Sequence, residues 1–227
     1  MAEYRHELKY YLSYPDYMLL QKRLAATVPR DIHAGESGKY FIRSLYFDDV
    51  YDSAFTEKLS GEDLRDKVRL RYYNLVPDKI KLERKKKTSG YILKESITLS
   101  KSECDLLLSG DCSFLLKRSE PFAHVMYTEF VTRVLRPKVI VDYTREPFIF
   151  PYENVRITFD TQIRTGYHSI DIFNPDIPTY PVIERDMPVL EVKFNKALPR
   201  GIHAMLQEAS PTRSQISKYC LCRQFEL

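Results

Sequence analysis

Lys67-Val68-Arg69-Leu70-Arg71-Tyr72 and Lys79-Ile80-Lys81-Leu82-Glu83-Arg84-Lys85 each alternate charge with apolar bulk along the chain. Successive side chains of a strand point to opposite faces, so Arg69 and Arg71 share one face, as do Lys81, Glu83 and Lys85. Pro77 and Asp78 lie between the runs as turn residues, which predicts an antiparallel hairpin. A hairpin of this kind ordinarily gives its charges to water and Val68, Leu70, Ile80 and Leu82 to the core.

Repetition points elsewhere. The alternation returns in Glu3-Tyr4-Arg5-His6-Glu7-Leu8-Lys9-Tyr10, where Arg5, Glu7 and Lys9 share a face, in Val155-Arg156-Ile157-Thr158-Phe159-Asp160, and in Leu190-Glu191-Val192-Lys193-Phe194. Several strands with mixed charge on one side and aliphatics on the other predict a closed sheet turned inside out. Its apolar face would pack outward against helices, and its charged face would line a shared interior.

At 227 residues the chain fits a single domain, expected to span 1–227, and 44% hydrophobic content is enough for a core. The net charge of +4 is modest, so any preference for anions must come from local clustering. No apolar run approaches the roughly 20 residues of a membrane span, and the N-terminus begins a charged strand, so a soluble, cytoplasmic protein is expected. Cys104, Cys112, Cys220 and Cys222 form no CxxC or zinc pattern and are expected to be reduced packing residues. The five histidines are scattered, which leaves a histidine triad or zinc site without support.

Taken in order, residues 3–12 read as a strand, and Pro15 opens an amphipathic helix with Met18, Leu19, Leu20, Leu24 and Ala25 as its apolar positions. Residues 40–47 read as a strand, with Asp48 and Asp49 opening a helix that Gly61 ends. A strand follows over 91–99. Ser100 and Glu103 then predict a capping box, and Pro121 a helix with Phe122, Val125, Met126, Phe130 and Val134 buried. Strands are expected over 137–150, 155–164 and 189–195, and helices over 199–209 and 214–223, the last capped by Ser214. On the long strand, Val139, Val141, Tyr143 and Arg145 share a face.

In order, RxExK at Arg5, Glu7 and Lys9, RLR at Arg69 and Arg71, KxExK at Lys81, Glu83 and Lys85, YxR at Tyr143 and Arg145, VRIxxD at Arg156 and Asp160, LEVK at Glu191 and Lys193, and SKY at Ser217 and Lys218 resemble the VTC (vacuolar transporter chaperone) polyphosphate polymerase domain. That domain belongs to the CYTH, or triphosphate tunnel metalloenzyme, superfamily. The resemblance implies an α+β fold, an eight-stranded antiparallel β-barrel tunnel with a charged interior and helices packed on the outside. It implies transfer of the ATP γ-phosphoryl group to a growing polyphosphate chain. Arg69, Arg71, Lys81, Arg145 and Lys218 would act at the reacting phosphates. Arg5, Lys9, Lys85, Tyr143, Arg156, Lys193 and Ser217 would line the substrate. Glu191 would lead the ligands of a Mn²⁺ or Mg²⁺ ion, with Glu7, Glu83 and Asp160 as further carboxylates. Many tunnel triphosphatases open with ExExK, and Arg5 in place of the first acid removes one carboxylate from the usual metal cluster. Eukaryotic VTC proteins also carry membrane domains, so transport would here need a membrane partner in trans.

The residue types suit the chemistry. Arg matches phosphate oxygens in bidentate fashion and Lys supplies a point charge. Phosphoryl transfer asks mainly for positioning and charge stabilisation, and an attacking phosphate oxygen needs no general base. A triphosphatase acting on inorganic triphosphate or a nucleotide would instead need a base for water, with Glu83 or Glu7 in that role. A non-catalytic polyphosphate-binding module is the third reading. Nucleic-acid binding ranks last, because carboxylates interleave the basic positions and would repel a phosphodiester backbone.

Overall fold

The computed structural model describes residues 6–88, 91–183, 187–208 and 212–227. In chain order the strands are β1 (His6–Tyr11), β2 (Tyr40–Asp48), β3 (Arg65–Tyr73), β4 (Val76–Thr88), β5 (Tyr91–Leu99), β6 (Arg136–Phe150), β7 (Val155–Thr165), β8 (Tyr180–Pro181), β9 (Val189–Phe194) and β10 (Thr212–Arg213). The helices are α1 (Tyr14–Thr27), α2 (Ser53–Ser60), α3 (Lys101–Ser109), α4 (Pro121–Thr132), α5 (Arg200–Glu208) and α6 (Lys218–Glu226). Eight of the strands have six residues or more, and β8 and β10 have two each. The expected α+β class with an eight-stranded antiparallel sheet is therefore present. Among the described residues no helix is long and apolar enough to cross a membrane.

Two compact units divide the chain: Met1–Phe41, Tyr143–Arg164 and Pro181–Ser217 in the first, and Ile42–Asp142, Thr165–Tyr180 and Lys218–Leu227 in the second. In the first unit the strand order is β10-β1-β9-β7 followed by the second half of β6. One face of this sheet carries Val155, Ile157, Phe159, Leu190, Val192 and Phe194, which pack with Tyr17, Leu20 and Leu24 of α1 and Ile202 and Leu206 of α5. Ser13 caps α1, accepting from the Asp16 N–H. The buried stripe of α1 is Tyr17, Leu20 and Leu24, while the expected Leu19 and Ala25 are exposed. The helix is rotated so that the Tyr17 ring meets Phe159 edge-on at 5.1 Å.

In the second unit the order is the first half of β6, then β2-β3-β4-β5. Leu45, Phe47, Val68, Leu70, Leu82, Ile97 and Leu99 share its apolar face and pack on Cys104 and Leu107 of α3 and Ala123, Met126 and Phe130 of α4. The capping box at Ser100 and Glu103 is formed in both directions. On α4 the buried stripe is Ala123, Met126 and Phe130, and the expected Val125 and Val134 are exposed. That helix is apolar on most sides, so its period does not fix its rotation.

Three boundaries differ from the sequence reading. The β3–β4 turn lies at Asn74-Leu75 and not at Pro77-Asp78; both residues have positive φ, 52° and 56°, and Tyr73 opposes Val76 across a two-residue loop. Such left-handed pairs match the twist of the flanking strands. The helix expected from Asp48 begins at Ser53: Asp48 ends β2, yet its carboxylate still accepts from the N–H groups of Ala54 and Phe55. The last helix begins at Lys218, because Thr212–Arg213 pairs with β1 and the Ser214 N–H donates to the Lys9 carbonyl. Among the described residues all cysteines are free.

Candidate functional site

The second unit gathers one cluster on the charged face of its sheet. Directly opposed residues of antiparallel strands share a face. Arg69 opposes Tyr46 on one side and Glu83 on the other, Arg71 opposes Ser44 and Lys81, and Lys85 opposes both Lys67 and Lys94. The strand phase expected for Arg69, Arg71, Lys81, Glu83 and Lys85 is thus present. Glu83, 2% exposed, accepts from Arg69 Nε at 2.8 Å and Nη2 at 2.6 Å through Oε2, while Lys94 Nζ lies 2.5 Å from its Oε1. Burial pushes the Glu83 carboxyl up, but the charges of Arg69, Arg71 and Lys94 outweigh it and hold the group well below the usual carboxylate range. Arg71 Nε donates to Ser44 Oγ at 2.9 Å, and Arg69 Nη1 to the Tyr46 hydroxyl at 2.8 Å.

Lys218, the first residue of α6, is half-buried beside Tyr219. The Tyr219 ring stacks on Tyr46 at 5.0 Å and carries Lys67 Nζ 5.2 Å from its centroid. Its hydroxyl donates to Asp48 Oδ2 at 2.5 Å, the carboxylate that also caps α2. The start of α6 is thereby tied to the basic face by an aromatic contact and an ionic hydrogen bond.

The first unit gathers the second cluster. Across β1, β9 and β7, Glu7 opposes Lys193, Lys9 opposes Glu191, and Lys193 and Glu191 in turn oppose Arg156 and Thr158. Lys9 Nζ lies 3.0 Å from Glu7 and 3.8 Å from Glu191, and also donates to the Ile216 carbonyl, the residue before Ser217. Lys193 pairs with the other oxygen of Glu191. Asp160, fully buried, takes Arg145 Nε at 2.7 Å and Nη2 at 2.8 Å in a fork. The Arg145 guanidinium sits 5.4 Å from the Tyr143 ring centroid. Burial alone would lower the Arg145 pKa, but Asp160, Tyr143 and Glu191 raise it well above the ordinary value, so it is a permanent cation. Arg156 Nη2 donates to Asp31 and to the Tyr40 hydroxyl, both at 3.0 Å. Arg5 lies outside the described residues.

Three further side chains belong to the basic face. Lys94 neutralises Glu83 and opposes Lys85, while Ser44 and Tyr46 hold the two arginines. Strand phase signals Lys94, which alternates with Ile97-side packing positions on β5; Ser44 and Tyr46 alternate with Leu45 and Phe47 on a strand buried on both sides, where they read as packing.

The carboxylates differ in what they offer a divalent ion. Asp160 and Glu83 give their oxygens to Arg145, and to Arg69 and Lys94. Glu7 and Glu191 meet at the ammonium of Lys9, and Lys193 takes the other oxygen of Glu191, so lysines and not guanidinium forks hold this pair. Opposite Glu191, the buried Thr158 hydroxyl has no hydrogen-bond partner among the described residues. No group of three or more His, Cys, Asp or Glu side chains spaced for a metal occurs among them. Two carboxylates with a nearby hydroxyl fit Mg²⁺ or Mn²⁺, which are commonly held by one or two carboxylates together with substrate phosphates.

A family model for the VTC domain matches residues 4–226. The chain belongs to the VTC domain family. Two solved structures share this VTC chain's fold at low sequence identity. An adenylate cyclase candidate from Bacillus halodurans aligns with a TM-score of 0.53 at 16% identity, covering 95% of this chain and 94% of its own. The PH1819 protein from Pyrococcus horikoshii OT3 aligns with a TM-score of 0.51 at 14% identity, covering 98% and 99%. A search of curated proteins finds no match.

Proposed function

We propose that this VTC-family chain is a metal-dependent phosphotransferase that moves the γ-phosphoryl group of ATP onto a growing polyphosphate chain. The observation that carries the reading is the basic face of β3–β5, where Lys67, Arg69, Arg71, Lys81, Lys85 and Lys94 share one side with Glu83. Membership of the family and the shared fold support an enzyme that handles triphosphates.

Arg69 and Arg71 are oriented before substrate arrives, by Glu83 and Tyr46 and by Ser44, so little side-chain freedom remains to be lost on binding. Their forks would hold nonbridging phosphate oxygens, with Lys81, Lys85 and Lys218 offsetting charge along the chain. Within the first unit's own cluster, Arg145, aimed by Asp160 and Tyr143, would likewise hold phosphate oxygens together with Lys9, Lys193 and Arg156. Tyr143 and Ser217 would donate hydroxyl protons. Glu191 and Glu7 would hold Mn²⁺ or Mg²⁺, which when bound offsets charge on phosphoryl oxygens.

The state of Glu83 favours synthesis over hydrolysis. A carboxylate held far below its usual range by Arg69, Arg71 and Lys94 is a weak base for activating water. An ionised phosphate nucleophile needs no such base. ATP as donor and four free cysteines accord with a cytoplasmic setting, and transport of product would fall to a membrane partner in trans.

The test is to incubate the purified chain with ATP and Mn²⁺ or Mg²⁺, resolving polyphosphate on gels and measuring free phosphate, with Glu191→Gln in parallel. Polymer that forms in wild type and not in Glu191→Gln is the expected result. Free phosphate without polymer would replace the polymerase with a triphosphatase, and triphosphate binding without turnover would leave a binding module.

A further inference from the structure

Tyr46 stands out on the basic face as a phenol whose oxygen accepts from a guanidinium. It is 7% exposed and opposes Arg69 in register, and its hydroxyl accepts from Arg69 Nη1 at 2.8 Å. The Arg69 guanidinium carbon also lies 5.6 Å from its ring centroid. Among the described residues Tyr46 makes no hydrogen bond as donor, so its own proton has no protein acceptor. The phenolic oxygen therefore occupies a position built for negative charge, beside the guanidinium assigned above to phosphate.

We propose that Tyr46 is a positioning residue that sets the anion affinity of this face through its own proton: protonated, it holds Arg69 and leaves the cationic charge to a phosphate group; ionised, it competes with that phosphate for Arg69 and Arg71. The inference rests on the phosphate-binding reading of the face and adds a control to it.

Cations dominate the charged surroundings. From β3 come Lys67, Arg69 and Arg71; from β4 comes Glu83, bound to Arg69; from β5 comes Lys94, bound to Glu83. From α6 comes Tyr219, whose hydroxyl is committed to Asp48 at the end of Tyr46's own strand. Burial raises the Tyr46 pKa, but Arg69, Arg71 and Lys67 bring it down to about 8. The proton is thus lost just above neutrality. Ionisation adds a negative charge in hydrogen-bond contact with Arg69, so affinity for a polyanion falls as pH rises through that value. By linkage the effect is reciprocal, and a bound polyanion must raise the pH at which Tyr46 ionises.

The experiment is a titration of tyrosinate absorbance on wild type and Tyr46→Phe, with and without saturating ATP and with divalent ions chelated so that nothing turns over. Above about pH 7 the terminal phosphate is already doubly ionised, so the ligand's own titration does not intrude. Wild type should show one tyrosine ionising near pH 8 that Tyr46→Phe lacks. ATP should move that midpoint up by about one pH unit, matching about a tenfold loss of ATP affinity across the transition by calorimetry. A midpoint unmoved by ATP that binds would overturn the inference and leave the phosphate-binding reading standing. Absence of any tyrosine ionising near pH 8 would also overturn it. A normal tyrosine transition with no ATP binding at neutral pH would sink both readings.

Discussion

Replacing Glu83 by Gln tests whether the basic face is a strained anion site or an ordinary set of ion pairs. Glu83 is 2% exposed and is the carboxylate between Arg69, Arg71 and Lys94; Gln keeps its shape and removes its charge. Its folded pKa is depressed, so its contribution to stability is fully present above the usual carboxylate range and is lost as pH falls through the folded value. At neutral pH the whole contribution is at stake. Breaking a buried pair from one side costs about 3–5 kcal/mol. Here Lys94 is 51% exposed and Arg69 19%, so water screens part of the loss. We expect about 2–3 kcal/mol after that screening. For a chain of this size that lowers Tm by about 5–10 °C.

The same substitution should act oppositely on binding. A polyanion supplies the charge that Glu83 no longer gives, so tripolyphosphate should bind Glu83→Gln about tenfold more tightly than wild type, worth about 1.4 kcal/mol. At equal ligand concentration the variant should regain about 3–5 °C more than wild type. Circular dichroism melts with and without tripolyphosphate, paired with calorimetry at neutral pH, read both effects. A variant that melts within about 2 °C of wild type and binds no tighter would refute the account of Glu83 as the carboxylate balancing this face.

Three further outcomes follow from the same contacts. Tyr46→Phe removes a group whose pKa falls from 10.0 to about 8 on folding, so wild type should gain stability over the variant only above pH 8. The gain should grow to about 2.3 kcal/mol at pH 10 in denaturant titrations, on its way to a limit of about 2.7 kcal/mol, and be absent at pH 7. Asp160→Asn leaves the Arg145 guanidinium without its buried partner and should cost about 3–5 kcal/mol, with loss of turnover even where the fold survives; equal urea midpoints would contradict it. Ser100→Ala opens the capping box of α3 and should cost about 1 kcal/mol in the same assay without changing tripolyphosphate affinity.

Much of this was written in the period of the sequence. β3, β4, β7 and β9 turn apolar side chains to one face and mostly charged or hydroxyl side chains to the other, so their alternation could be read directly, and it placed Arg69 with Arg71, and Lys81 with Glu83 and Lys85, on shared faces. The first half of β6 gave a weak signal for the opposite reason: Val139, Ile140 and Val141 are all fully buried, so both faces are apolar. The hairpin turn was misplaced because Pro77 and Asp78 look like turn residues, whereas the backbone bends at Asn74 and Leu75, where register and not composition decides. Tyr46 and Ser44 were illegible as site residues because β2 is buried on both sides, and aromatic bulk there reads as packing.

What alternation alone could not reveal is how the cations are held. Lysines and arginines on one face repel, and the fold answers by giving each arginine a fixed acceptor: Glu83 and Tyr46 for Arg69, Ser44 for Arg71, Asp160 for Arg145. These acceptors are of two kinds. Glu83 and Asp160 are ionised and buried, and they fix guanidinium geometry at the expense of charge. Ser44 and protonated Tyr46 fix geometry and leave the charge intact. An anion-binding face needs both, since carboxylates alone would cancel the attraction and hydroxyls alone would not offset the repulsion. In the proposed phosphate-binding role, Arg71 and Lys81 act as a pair opposite each other in the register, and Arg69 responds to the protonation of Tyr46.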